Sequence, residues 1–350
     1  MKFKLAALGK FEIIRQAEVH RMNVEFVNLT DEDVSLAGEY FTPSCYQYDI
    51  SNGLIAGNRS CLVEDQLFLD TPPEWTYEEL LSYVARVKKV HKREFAFVSD
   101  YSEETGEGEL ELPRPYLHLD ESVFFCGCVE YWNFGFFLTV LMQKVFIATM
   151  IDKSRPILVP ICSSWQVTLL QSFFPETRFI FYDPAQVVSV VKATVIGWPG
   201  FGFHIGKDYL DYLRSAADAF EMDNGADRKR ICFARQSGMY AKRLEMLKLL
   251  SVDSLKNGFT PLYPELVAPK RLAKMVRSSE SILLDSGSAL FNLVFSRSGL
   301  NAVLFESRKE FLLNHSRFLN SLAINAKVIF VDNKTDVKKL SWTVFMNGAG

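Results

Sequence analysis

Two stretches in the second half of the chain hold residues whose types and spacing suit phosphate or hydroxyl chemistry. Ser281-Ile282-Leu283-Leu284 reads as a buried strand that runs into Asp285-Ser286-Gly287-Ser288-Ala289, then into an apolar run to Phe295 whose polar member is Asn292. A strand, a small-residue turn and a helix start in succession bring short side chains and backbone N–H groups to one point. That geometry suits a phosphate or a sugar hydroxyl. An ordinary tight turn capped by Ser288 would use the same residues, and the stretch is neither a P-loop nor a G-x-G-x-x-G fingerprint.

The other stretch is the basic loop from Arg235 to Lys242 and Arg243, directly after the predicted strand Ile231-Cys232-Phe233-Ala234. A guanidinium at a strand end offers a fork of donors to a diphosphate. It also compensates the charge that develops on a leaving nucleoside diphosphate, with no metal required. Lys242 and Arg243 would assist from a helix start or stand as solvated surface charges. Glu306, just past Ala302-Val303-Leu304-Phe305, suits a hydrogen bond to a ribose or sugar hydroxyl, and Glu265 is a weaker candidate of the same kind. With no Asp-x-Asp pair at a convincing strand end and five scattered His, neither a structural zinc nor an obligatory catalytic metal is expected.

These residues need a scaffold that delivers strand ends to a common edge. From 123 onward the pattern alternates: a strand over 123–129, a helix from about Phe136, a strand over 156–160, a helix over 166–174, and strands over 178–182 and 187–195. After a break rich in Gly at 197–203 comes a helix over 208–220. Strands at 231–234, 258–262, 282–284, 302–305 and 326–331 then alternate with helices near 241–250, 268–277 and 290–295. Such alternation predicts α/β domains with parallel sheets and crossover helices, able to bind a nucleotide at strand carboxyl ends. The expected domains are 1–200 and 201–350. The first hundred residues read less clearly: an N-terminal strand, a helix over 76–89, a strand over 94–98, and then an exposed acidic loop over 102–111.

The 350 residues are 48% hydrophobic and 23% charged with a formal net charge of -3, which describes a chain that buries a core and has no overall basic coat for nucleic acid. Its six cysteines include one close pair, Cys126 and Cys128. They fit neither a disulfide framework nor a four-thiolate zinc site and point to a reducing, cytosolic compartment. The most apolar stretch, 134–150, is interrupted by Gln143 and Lys144 and reads as a buried helix.

In combination, NFGFFLTVL at 133–141, the strand leading to Arg235, Gly258-Phe259 before Pro264-Glu265, and SGSALFNLVF at 286–295 followed by Glu306 resemble an ordered family signature. The family is glycosyltransferase 61, which includes bacterial capsular-polysaccharide transferases, and the resemblance spans approximately 125–306. It implies a GT-B-like fold of two Rossmann-like domains facing a central cleft, a nucleotide-sugar donor and an inverting reaction. It places Asn133 and the segment after it on the acceptor side, and Arg235, Gly287, Ser288 and Asn292 on the donor side. Lys242, Arg243, Ser286 and Glu306 join the donor side by position. This chain departs from the family where Phe136 and Ser286 stand in place of His, and where Glu245 displaces an Asn.

One direct displacement at the sugar carbon must take a proton from the acceptor hydroxyl, so an inverting transferase requires a base. Glu130 precedes Tyr131-Trp132-Asn133, whose aromatic pair would form a sugar platform with the carboxylate at its edge. His204 follows the glycine-rich segment, and Asp49 is a third candidate; the sequence leaves the three open. The expected partners are a nucleotide sugar, a glycan acceptor and polysaccharide-assembly proteins, with no cofactor and no nucleic acid. The expected location is the cytoplasm, with peripheral association at the inner membrane face if the acceptor is lipid-linked. The competing expectation is a noncatalytic carbohydrate-binding or complex-assembly protein on a GT-B scaffold, consistent with Phe136, Ser286 and Glu245. A phosphate-ester hydrolase ranks lower, because no coherent nucleophile or metal set is present.

Overall fold

The computed structural model describes residues 1–7, 10–27, 38–90, 97–197, 203–221, 230–234 and 254–331, with 86–90 described by backbone alone. The chain divides into two compact units, Met1–Glu18 with Phe41–Phe201 and Val19–Tyr40 with Gly202–Gly350. A single cut at 200 therefore misassigns 19–40. That excursion supplies a strand to the second unit, where Glu25, Phe26 and Val27 pair with Lys327, Val328 and Ile329.

The described strands in the first half of the chain are β1 (Lys2–Leu5), β2 (Glu12–Arg15), β3 (Glu18–Arg21), β4 (Glu25–Val27), β5 (Glu39–Thr42), β6 (Cys45–Ala56), β7 (Ser60–Val63), β8 (Gln66–Leu69), β9 (Val98–Tyr101), β10 (Glu107–Leu110), β11 (Leu117–Leu119), β12 (Val123–Phe125) and β13 (Ile157–Pro160). They are followed by β14 (Phe179–Tyr182), β15 (Val187–Ile196), β16 (Arg230–Phe233), β17 (Thr260–Leu262), β18 (Ser281–Asp285), β19 (Asn301–Glu306) and β20 (Asn325–Phe330). The longer helices are α1 (Tyr77–Val90), α2 (Phe134–Ile151), α3 (Ser164–Phe173), α4 (Lys207–Ala219), α5 (Pro269–Ser278) and α6 (Lys309–Ser321).

The first unit holds a mixed sheet in the order β14-β13-β12-β15-β6-β7-β8-β1-β10-β9, with β11 added to β15 and β2 to β6. Its parallel part is the set around β12. The chain steps from β12 outward to β13 and β14, then returns to place β15 on the other side of β12, so the strand order reverses there. Every residue of β12 and β13 is buried, as expected of parallel strands covered on both faces. On β6, which pairs antiparallel with β15 from Val187↔Ala56 to Ile196↔Gln47, Tyr46, Tyr48 and Ile50 alternate inward onto Phe125, Leu158, Val190 and Val195.

Between β12 and β13 runs α2, which contains a π-helical segment at Phe137–Leu141. Among the described residues it is the helix long and apolar enough to cross a membrane, and 67% of it is buried in the fold. Lys144, which interrupts its apolar run, is wholly buried. Its ammonium is paired with the buried Asp70 carboxylate and donates to the Gly127 carbonyl at 2.7 Å.

The second unit is an all-parallel sheet in the order β17-β16-β18-β19-β20-β4. From β16 onward the chain fills positions 2-1-3-4-5 of a doubly wound sheet, and β4 is added at the far edge. The order reverses between β16 and β18, whose ends lie level because Phe233 pairs with Leu284. Helices α4 and α5 pack with the 3-10 helix Ser288–Phe295, and α6 lies on β19 and β20. A coarse α/β class is thus shown for the chain.

Several elements differ from expectation. Residues 107–110 form β10 rather than a loop: Glu107 and Glu109 face solvent while Gly108 lets the Phe3 ring approach, where a Cβ would come within 2.7 Å. The segment after Gly287 is a 3-10 helix, with Leu290 N–H bonded to Gly287 O at 3.0 Å and the Asn292 amide donating to Ala289 O at 3.0 Å. Helix α6 was not expected; its buried stripe of Leu312, His315, Ser316, Phe318 and Leu319 keeps helical spacing but mixes polar with apolar residues. The helix expected near 241–250 and most of the strand expected over 94–98 lie outside the described residues.

Removing a buried ammonium from its carboxylate leaves a desolvated charge poorly compensated. Lys144→Met is therefore expected to destabilise the protein by about 3–5 kcal/mol, read from urea unfolding. A loss under about 1 kcal/mol would show that the pair does not support the fold.

Candidate functional site

Each unit presents a cluster of expected residues at the strand ends beside its reversal point. In the second unit, β18 delivers Asp285, which is 2% exposed, and Ser286, which is fully buried. The Ser286 N–H donates to Phe305 O at 2.9 Å and its hydroxyl bonds Glu306. Gly287 sits at φ 132°, ψ -166°, a conformation open almost only to glycine, and so turns the chain sharply into the 3-10 helix. Ser288 is exposed at its start, and Asn292 is buried within it.

Glu306 does not reach a ligand from where it stands. It is wholly buried, accepting from Arg308 N at 2.8 Å and from His315 Nδ1 at 2.5 Å, besides its bond with Ser286. Phe311 stacks on His315 at 5.6 Å, with Phe291 at 6.0 Å and Phe203 at 6.4 Å completing an aromatic box. Burial pushes the Glu306 carboxyl up, but the bond and charge of His315, the Arg308 N–H and Ser286 outweigh it and hold the carboxyl below its ordinary value. Glu306 and Ser286 therefore brace the turn from beneath, and among the described residues of the turn Ser288 is exposed and Gly287 half-buried. The carboxylate stands between hydroxyl and imidazole, so the three do not form a nucleophilic triad. Arg235, Lys242 and Arg243 lie outside the described residues; Arg235 follows Ala234, whose N–H bonds Leu262 O at the end of β16.

In the first unit the loop after β12 carries Glu130, Trp132 and Asn133, all half-buried. It is held at four points. Asn58 and Cys128 exchange two bonds, Nδ2 to Cys128 O at 2.6 Å and Cys128 N to Asn58 O at 3.0 Å. Lys144 holds Gly127 O and Gln166 Nε2 holds Tyr131 O, each at 2.7 Å. Gly127 has no room for a side chain, since a Cβ there would lie 2.4 Å from Asn58 O. This over-determined loop keeps Glu130 in the left-handed region at φ 45°, a costly conformation for a residue with a Cβ. Asn133 closes the turn with its N–H on Glu130 O at 2.7 Å and caps α2, its Oδ1 accepting from Gly135 N at 2.9 Å. Asn133 thus has a structural duty, while Glu130 and Trp132 stand at the rim.

The other base candidates are placed differently. His204 is buried, with Nδ1 3.1 Å from the Tyr40 hydroxyl and its ring 4.3 Å from that of His20. The Asn320 amide is fixed by Asn23 N–H on Oδ1 and by Arg21 O on Nδ2, so it donates to Tyr40. This knot ties the 19–40 excursion to α6. Asp49 is exposed between the inward Tyr48 and Ile50, on the opposite sheet face, bonded by Thr194 Oγ1 at 2.5 Å. Glu265 is exposed in the 3-10 turn Pro264–Leu266. Among the described residues no group of three or more His, Cys, Asp or Glu is arranged to hold a metal ion. Asn58 and His315 gave no sequence signal of their placing roles, whereas Gln166 carries one that was missed, the Ser163-x-x-Gln166 capping-box spacing, and Lys144 shows as a charge inside an apolar helix. No family model matches the chain, and no curated protein matches it.

Two predictions rest on this geometry. Glycine adopts the left-handed region without a Cβ clash, so Glu130→Gly should keep the thermal midpoint or raise stability by up to about 1 kcal/mol; a clear drop would make Glu130 structural. Because the folded Glu306 value is depressed, its stabilisation is fully present above the unfolded value near 4.5 and is lost as pH falls through the folded one. Urea midpoints of wild type and Glu306→Gln should therefore differ most near neutral pH and converge in acid. A constant gap would refute the charge account.

Proposed function

We propose that the chain is an inverting glycosyltransferase that moves a sugar from a nucleoside-diphosphate donor to a bacterial surface or capsular polysaccharide acceptor, with a GT-B-like pairing of Rossmann-like domains. The observation that carries this reading is the second unit's all-parallel sheet, whose order reverses between β16 and β18 with the Gly287 turn at one strand end. Open α/β sheets bind ligands in the crevice at such a reversal. Backbone N–H groups from Gly287 to Ala289 would meet phosphate oxygens, and Arg235, with Lys242 and Arg243, would supply the positive charge. The buried Glu306 carboxylate beneath the turn disfavours a phosphate deeper in the crevice.

In the reaction the acceptor oxygen bonds to the anomeric carbon as the bond from that carbon to the diphosphate breaks. The nucleoside diphosphate leaves with the electron pair, and Glu130 takes the acceptor proton. The 130–133 loop of the first unit is the acceptor side, with Trp132 as a sugar platform. The working location is the cytoplasm, at the inner membrane face when the acceptor is lipid-linked and polysaccharide-assembly proteins are at hand. A noncatalytic sugar-binding scaffold is the second reading, favoured by the burial of Ser286 and Glu306; it predicts binding without turnover.

Nucleoside-diphosphate release across a panel of activated sugars and glycan acceptors tests the first reading against the second. Arg235→Ala is expected to lower turnover about 10²-fold while keeping the fold, and Arg235→Lys to recover part of it, because an ammonium lacks the guanidinium fork. Near-wild-type kinetics in Arg235→Ala would reject the proposed charge compensation.

A further inference from the structure

Gln166 is wholly buried in the first turn of α3 and joins two strand-end loops. Its Oε1 accepts from Cys162 N at 2.6 Å and Ser163 N at 3.0 Å, at the end of β13, while Nε2 donates to Tyr131 O at 2.7 Å, in the loop after β12. Two N–H donors on one side and a carbonyl on the other leave the amide a single orientation. The residues beside the two ends of this bridge are tryptophans. Trp165 precedes Gln166, and Trp132 follows Tyr131. Both are half-buried, as is Glu130. The Trp165 ring packs against those of Phe137 at 5.0 Å and Phe134 at 5.7 Å, and Trp132 meets Tyr131 edge-on at 5.3 Å.

We infer that Trp165 and Trp132 are two walls of one pyranose subsite, and that Gln166 is the positioning residue that sets them apart at a fixed spacing. The inference rests on the reading of this loop as the acceptor side and names its substrate class: a pyranose whose hydroxyls are equatorial. Such a ring turns its axial C–H bonds to both faces, which complement the faces of indole rings, and its hydroxyls lie at the edge, where Glu130 accepts them. The carboxylate disfavours a nucleotide in the same place, since a phosphate would meet a like charge.

The test is tryptophan fluorescence of the full chain titrated with xylotriose and cellotriose, with uridine and adenosine as counter-probes. Wild type is expected to show a saturable change with at least one trisaccharide. Trp165→Ala and Trp132→Ala should each weaken it about tenfold or more, and Trp165→Phe should retain most of it. Gln166→Glu keeps an acceptor for Cys162 and Ser163 but sets a carboxylate oxygen against Tyr131 O. It should weaken trisaccharide binding about tenfold, leave nucleoside-diphosphate affinity unchanged and speed amide exchange over 130–133; Gln166→Met is the uncharged control. A flat wild-type titration, saturation by the nucleosides alone, or undiminished binding in Trp165→Ala overturns the subsite. Trisaccharide binding without any sugar transfer would sink the transferase reading and leave the subsite standing. Transfer with a flat titration would do the reverse.

Discussion

A lysine with no exposed surface fixes the strand-end geometry of the first unit. Lys144 lies within a helix apolar enough to pass for a membrane span, and its ammonium reaches Asp70 and Gly127 O beneath the loop after β12. Burying that charge is costly unless geometry and partners are good, so the loop, the helix and the Asp70 strand end must stay in register together. Asn58 and Gln166 tie the same loop from two other directions. The consequence is a rim residue, Glu130, held in a backbone conformation that it would not choose alone.

The second unit solves the same problem with the opposite charge. Glu306 is buried at the end of β19, kept ionised by His315 from α6 and by the Arg308 N–H, and it holds Ser286 so that the next residue can turn through a glycine-only conformation. In both units a buried charged group braces the strand-end turn from within. Positional rigidity of this kind is what a group-transfer site needs, because small misplacements of a reacting group are heavily penalised.

Local pattern made much of this legible in the sequence. The alternation from 123 onward appears as β12 to β15 with α2 and α3, and the 281–289 stretch forms a strand, a glycine turn and a helical start as its period and small residues suggest. Long-range pairing was not legible. Nothing in residues 25–27 marks them as the edge of a sheet built three hundred residues later, and the register of β6 on β15 is set by packing rather than by any local turn. Glu306 and Ser286 looked like ligand contacts because strand ends usually face a crevice. Their inward orientation depends on His315, a polar residue on the buried stripe of its helix, whose pairing across nine residues no local pattern announces.

The central claim is that the β16/β18 reversal of the second unit holds the donor diphosphate. A crystal structure with an intact or slowly reacting nucleotide sugar tests it most directly. The account predicts phosphate oxygens against the backbone N–H groups of residues 287–289 with the Arg235 guanidinium beside them. A donor seated elsewhere, or a diphosphate that leaves both strand ends empty, would contradict it.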